Sequence, residues 1–173
     1  MLLVALSVGI LAGSRRTVTG CYRTAAFNWT QGEDIYNGTG TGFIYLPQAA
    51  LSYLPVAVLP HTLAEVLWRG IGLGLYSAAI WRLAGLAGNQ RRLFPLMTLL
   101  CIPLAWSSLR NGQSTIPMTG LMILAVADLA DARRWRATLW LSLALMLKPL
   151  VVVLILLAAA LHPPMRLRLL AGV

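Results

Sequence analysis

LFPLMTLLCIPLAWSSL (residues 93–109), a single arginine (Arg110), then NGQSTIPMTGLMILAVA (residues 111–127): two uncharged runs are parted by one cation. Roughly 20 residues of helix cross a ~30 Å hydrocarbon layer, and a charge at its middle costs several kcal/mol. Each run is therefore sized for a membrane span. Arg91, Arg92 and Arg110 mark the ends, where long side chains reach toward phosphate level. The expectation is two helices, 93–109 and 111–130, joined by a tight turn at Arg110 to Gln113.

Composition extends this reading to the whole chain. Of 173 residues 58% are hydrophobic and 11% charged, whereas soluble domains carry about a quarter charged residues. A soluble globular enzyme is excluded. The charge of +9 would suggest nucleic acid if the basic residues shared one solvated face. They instead punctuate apolar runs, as in a multi-pass membrane protein, so nucleic acid is not an expected partner. Cys21 and Cys101 are distant and lack His or Cys at metal spacing, so neither a disulfide framework nor a zinc site is indicated.

Working outward, residues 61–86 are helical by composition despite Arg69 and Arg82. Residues 1–14 are apolar without a basic leader or a cleavage site, and read as a first span rather than a signal peptide. Residues 17–60 form an external loop. It is polar to Gly42, and then carries Pro47, Pro55 and Pro60 at a spacing that suits short interfacial helices, with Tyr45 and Tyr53 at headgroup depth. Residues 137–161 are apolar except for Lys148, and Pro149 disfavours helical geometry at its predecessor. A break is expected there, separating 137–147 from 149–162. The fold class is an all-α polytopic membrane bundle of five to six segments.

Basic residues orient it. Arg82, Arg91, Arg92, Arg133, Arg134, Arg136, Arg166 and Arg168 fall on one side, the cytoplasmic one; Arg15, Arg16, Arg23, Arg110 and Lys148 fall on the other. This parity favours a hairpin with Lys148 at its tip over a single crossing by 137–161, a broken helix being the other form of the segment.

The non-cytoplasmic face then collects Glu33, Asp34, Asn111, Gln113, Lys148 and the first-loop arginines. A carboxylate can act as base, a cation can hold a phosphate, and amides can orient hydroxyls, a set suited to transfer from a phosphate-linked donor to an alcohol. Plainer roles stand beside each. Lys148 could snorkel, but a charge at a Pro-made helix terminus at membrane depth is usually functional. Asn111-Gly112 is a common turn dipeptide, and Glu33-Asp34 could cap a loop. Asp128 and Asp131 read as solvated partners of Arg133 and Arg134, and His61 and Glu65 as residues suited to a helix start.

Several ordered pieces resemble glycosyltransferase family 87, polytopic enzymes of the GT-C class that use polyprenyl-phosphate sugars. Tyr22-Arg23-Thr24-Ala25-Ala26 with Trp29 and Gly32-Glu33-Asp34-Ile35-Tyr36 is similar to the family's first loop. Phe43-Ile44-Tyr45-Leu46-Pro47, with Leu54-Pro55 and Leu59-Pro60-His61, resembles its Tyr-x-Pro segment, and Trp68 its following span. Asn111-Gly112-Gln113 looks like its Gly-Gln element and Met146-Leu147-Lys148-Pro149 its Lys-Pro element.

The resemblance implies an inverting transfer of a mannose- or arabinose-like sugar from a polyprenyl-phosphate donor to a glycan or glycolipid hydroxyl. It would occur in a multi-pass protein of a prokaryotic plasma membrane, among membrane lipids and without a cofactor, the metal requirement staying open. Lys148 would contact the phosphate, Gln113 and Asn111 would orient substrate, and Arg23 would add positive charge. The family's first-loop Asp is absent, because Thr17-Val18-Thr19-Gly20-Cys21 holds no carboxylate, which leaves Asp34 as the candidate base. Family members are usually more than twice this length, so a fragment is expected. The alternative is an inactive relative with a structural or lipid-handling role.

Overall fold

The computed structural model describes residues 17–36 and 42–172, with side chains through Leu169. The first span expected at 1–14, and with it Arg15 and Arg16, lies outside the described residues. Every regular element among those described is helical: α1 Thr19–Gln31, α2 Pro47–Ala57, α3 His61–Leu86, α4 Gln90–Arg110, α5 Thr115–Ala130, α6 Arg134–Leu147, α7 Val152–Leu161 and α8 Arg166–Gly172, with single 3-10 turns at Pro149–Val151 and Pro163–Met165.

Among the described residues two helices, α3 and α4, are long and apolar enough to cross a membrane. At 1.5 Å per residue they extend about 39 and 31 Å. Along α4 only Leu109 is buried, while Leu99, Leu100 and Leu104 are exposed. Such a face is unfavourable in water and matches a lipid surround. α2, by contrast, is 11 residues long and buries Ala49, Ala50, Tyr53, Val56 and Ala57, too short to span and packed against α1 and α3. Pro47 occupies its first turn, where the missing N–H costs nothing.

α3, α5 and α6 form the packed centre. The α3–α5 crossing depends on small residues. A Cβ on Gly120 would lie 2.9 Å from the Leu75 carbonyl carbon and the Tyr76 nitrogen, and one on Gly72 would lie 3.1 Å from Pro117 Cδ. Backbone cannot move aside as a side chain can, so Gly120→Val is expected to push the helices apart and cost about 1–3 kcal/mol. Gly74, whose Cβ position is open, is the control. Thermal unfolding in detergent should show a lowered midpoint for Gly120→Val and none for Gly74→Ala; equal behaviour would refute the close crossing.

The chain breaks at Lys148. Lys148 is extended (φ −154°, ψ 138°), so α6 stops where Pro149 dictates. Beyond it the chain runs back along α6: Met165 and Leu169 join Ala144 and Leu147 in the core, and the Arg168 guanidinium lies 4.9 Å from the centroid of Trp135 at the start of α6.

Two expectations are corrected at the helix ends. α5 begins at Thr115 rather than at residue 111, because residues 111–114 complete the turn. Asp128 is not a solvated partner of Arg133 and Arg134. It is 1% exposed and accepts from Arg82 Nη2 (3.1 Å) and Trp140 Nε1 (2.9 Å), with Arg136 Nε also at 3.1 Å. Its place on α5 turns it inward, where three donors from α3 and α6 offset the loss of water. Asp131 bonds Arg82 and lies 3.9 Å from Arg133.

Candidate active site

At the other end of the bundle, the turn between α4 and α5 is built from its backbone. Gly112 is left-handed (φ +64°); its N–H donates to Leu109 O (3.1 Å) and that of Gln113 to Ser108 O (2.9 Å). This is a Schellman helix stop, with Asn111 as C-cap. Glycine is required twice over, by its φ and because a Cβ would lie 2.6 Å from Thr19 Cγ2.

Donors from α3 and from the segment before α1 grip the same turn. Arg69 gives Nε to Leu109 O and Nη2 to Arg110 O, both at 3.0 Å. Trp68 Nε1 donates to Gly112 O (2.9 Å), and the Val18 N–H to Asn111 O (3.0 Å). Arg69 is itself held by the Glu65 carboxylate one turn earlier, which also accepts from the hydroxyls of Thr17 and Thr19. Glu65 and Arg69 are 4% and 2% exposed. Glu65 is thus no solvated helix-start residue. Pro60 is the N-cap of α3, and His61 sits 3.9 Å from Glu65 Oε1 without capping the helix. The spacing 65/69 inside an apolar helix was the legible signal, since residues four apart share a face and a buried cation needs a partner.

Gln113 follows directly on the turn. Its Oε1 accepts from Ser108 Oγ (3.2 Å) and Thr115 Oγ1 (3.4 Å). Thr115 Oγ1 accepts in turn from Lys148 Nζ at 2.6 Å, and the ammonium lies 5.3 Å from the Tyr45 ring centroid. Gln113 and Lys148 are therefore brought together through one hydroxyl. Among the described residues no carboxylate lies within ion-pair distance of Lys148. Beside this chain, a shallow surface groove runs between Trp68, Arg69, Ser108, Gln113, Ile116 and Pro117.

Tyr45 is positioned by an aromatic cluster. Its ring centroid is 5.7 Å from those of Tyr22 and Phe43, and Tyr22 also meets Tyr53 and Trp68. Such edge and tilted contacts favour one ring arrangement over others. The Tyr22 hydroxyl lies 3.5 Å from Ser114 Oγ and accepts from the Ser114 N–H (3.4 Å), tying α1 to the start of α5. Burial pushes the phenol of Tyr22, and that of Tyr53, above the usual tyrosine range, so both stay neutral hydrogen-bonding groups at any physiological pH.

Among the described residues, no hydrogen bond joins the remaining candidates' side chains to this chain. Asp34 is exposed beyond α1, and its Oδ1 accepts from the Tyr36 N–H (2.9 Å), closing its own turn. No contact joins it to Lys148 or Gln113. One indirect link exists, since the Tyr36 hydroxyl donates to Tyr45 O (3.1 Å). Arg23 lies 5.6 Å from the Phe27 ring centroid on its own helix. Asn111 contributes its backbone to the turn and is half-buried.

Among the described residues no cluster of His, Cys, Asp or Glu has the grouping of a metal site. Comparison with known families finds that the model of glycosyltransferase family 87 matches residues 43–164, most of the 173-residue chain. The match includes Tyr45, Trp68, Arg69, Gln113 and Lys148, and leaves Arg23 and Asp34 outside it. No curated protein and no solved structure matches the chain.

Proposed function

The chain belongs to glycosyltransferase family 87, and from that premise we propose that it moves a sugar from a polyprenyl-phosphate donor to a glycan or glycolipid hydroxyl. Transfer takes place at the non-cytoplasmic end of a multi-pass bundle in a prokaryotic plasma membrane. The sugar is mannose- or arabinose-like. The observation that carries this reading is Lys148: a cation at a helix break, steadied by Thr115 and Tyr45, with no carboxylate neutralising it among the described residues. Its free valence suits an anion of the substrate, and a partly desolvated ammonium acts more strongly on a phosphate than a solvated one.

In the reaction the acceptor hydroxyl loses its proton to a base as its oxygen attacks the anomeric carbon. The bond from that carbon to the phosphate oxygen breaks with inversion, and polyprenyl phosphate leaves with the electron pair. Lys148 stabilises the charge that develops on the departing phosphate. Gln113, with Asn111 beside it, orients the sugar or acceptor hydroxyls, and Arg23 raises the local positive potential. Asp34 is the candidate base, and its exposed carboxylate would have to be brought over the acceptor for it to serve.

A second reading is favoured by one observation: Asp34 is engaged in its own turn and apart from Lys148. On that reading the chain is an inactive relative that holds lipid. The two are separated by incubating membranes containing the chain with polyprenyl-phosphate mannose or arabinose and following glycolipid product. The enzyme reading expects product of inverted anomeric configuration, and a fall of about 10²–10⁴-fold for Asp34→Asn. Full transfer by Asp34→Asn removes Asp34 as base, and no transfer by the unaltered chain supports the second reading.

A further inference from the structure

We propose that Trp68 and Arg69 are positioning residues for sugar transfer: from α3 they fix the 109–112 turn, and through it set Gln113 and Thr115 against Lys148. This rests on the reading of Lys148 as the phosphate contact.

The argument begins with an accounting of hydrogen bonds at the end of α4. A Schellman stop satisfies terminal carbonyls with the turn's own N–H groups, and those bonds are present from Gly112 and Gln113. Yet four consecutive carbonyls, 109 to 112, accept further bonds from outside the helix, three of them from the neighbouring side chains Trp68 and Arg69. The helix would stop without them. What they add is a fixed position of the turn relative to α3.

Gln113 is the next residue, and Thr115 begins α5. Trp68 therefore fixes the Gly112 carbonyl, whose peptide bond leads directly into Gln113, and from the Gln113 side chain hydrogen bonds run to the Thr115 hydroxyl and on to the Lys148 ammonium. A displacement of about 1 Å at a reacting centre costs roughly 10²-fold in rate, and a turn released from α3 can move by that much. Glu65 with Thr17 and Thr19 holds the Arg69 guanidinium in the plane that meets both carbonyls. Trp68 makes one hydrogen bond, to Gly112, and packs its ring on Tyr22 and Tyr53; it is the residue to test, because phenylalanine retains an aromatic ring while the N–H is removed.

In the full chain in detergent, well below the unfolding midpoint, which the lost ring volume and hydrogen bond lower, Trp68→Phe is expected to lower transfer from a polyprenyl-phosphate sugar by about tenfold to a hundredfold. Amide exchange at Gly112 to Ser114 should quicken. The double variant with Gln113→Ala should be no slower than Gln113→Ala alone, because both act through one group. Transfer by Trp68→Phe at the unaltered rate, or losses that multiply in the double variant, would overturn the proposal. Lys148→Ala in the same preparation separates the causes. If it is slow while Trp68→Phe is not, the positioning role alone fails; if Lys148→Ala transfers at the unaltered rate, the underlying reading fails and the positioning role with it.

Discussion

Lys148→Ala should reduce transfer from a polyprenyl-phosphate sugar by about 10²–10³-fold, the usual loss when one preorganised charge-stabilising group is removed from a reaction centre. Its position argues for an effect on chemistry rather than on folding. The ammonium donates to one hydroxyl, Thr115 Oγ1, and faces one ring, Tyr45, and it closes no ion pair among the described residues. Stability should therefore shift by no more than about 1 kcal/mol, the worth of a single hydrogen bond. The break in the chain at residue 148 should survive, since Pro149 imposes it. Lys148→Arg should recover only part of the rate: it keeps the charge, but a planar fork cannot take the place of a compact ammonium between a hydroxyl and a ring face. Steady-state transfer and thermal unfolding of the same preparations decide the matter. A Lys148→Ala protein that unfolds early and regains its rate on refolding with a stabilising lipid would make the residue structural.

Glu65→Ala is expected to cost about 3–5 kcal/mol of stability, because it leaves Arg69 charged in an apolar helix with its counterion gone. Arg69→Ala should cost a similar amount, since it strands the Glu65 carboxylate and frees the Leu109 and Arg110 carbonyls. Removing both in Glu65→Met/Arg69→Leu should do less damage than the sum of the single losses, since no unpaired charge then remains. Thermal unfolding in detergent of the three variants gives the cycle, and strictly additive losses would show that the pair is not coupled. At the opposite end Asp128 presents the same physics with two cations, Arg82 and Arg136, and the Trp140 N–H. The two buried acids thus pin the two ends of α3 to its neighbours.

Much of this architecture was legible one residue at a time. Uncharged runs locate helices because a membrane and a packed interior both exclude charge, and Pro149 breaks α6 through local backbone sterics that no packing can reverse. Gly112, closing a turn with positive φ, belongs to the same class, although the start of α5 moved to Thr115 because Gly112 and Gln113 donate to the Schellman bonds and Ser114 is the N-cap. After Lys148 the Arg168 guanidinium lies over the Trp135 ring at the start of α6, a contact no local rule in the sequence supplies.

The partners of charged side chains were decided elsewhere. Asp128 stands close in sequence to Arg133 and Arg134, yet the helix turns it toward Arg82, 46 positions away, and Trp140. Glu65 looked like an ordinary residue near a helix start until α1 and the 109–112 turn closed over it. The same holds for the candidate site: that Lys148 was a candidate followed from its isolation in an apolar run, but that it meets Gln113 through Thr115 and rests on Tyr45 depended on three segments docking together. Local rules act over a few residues and are written in the chain. Pairing of charge depends on which faces meet after the apolar surfaces have been buried, and only the tertiary structure holds that information.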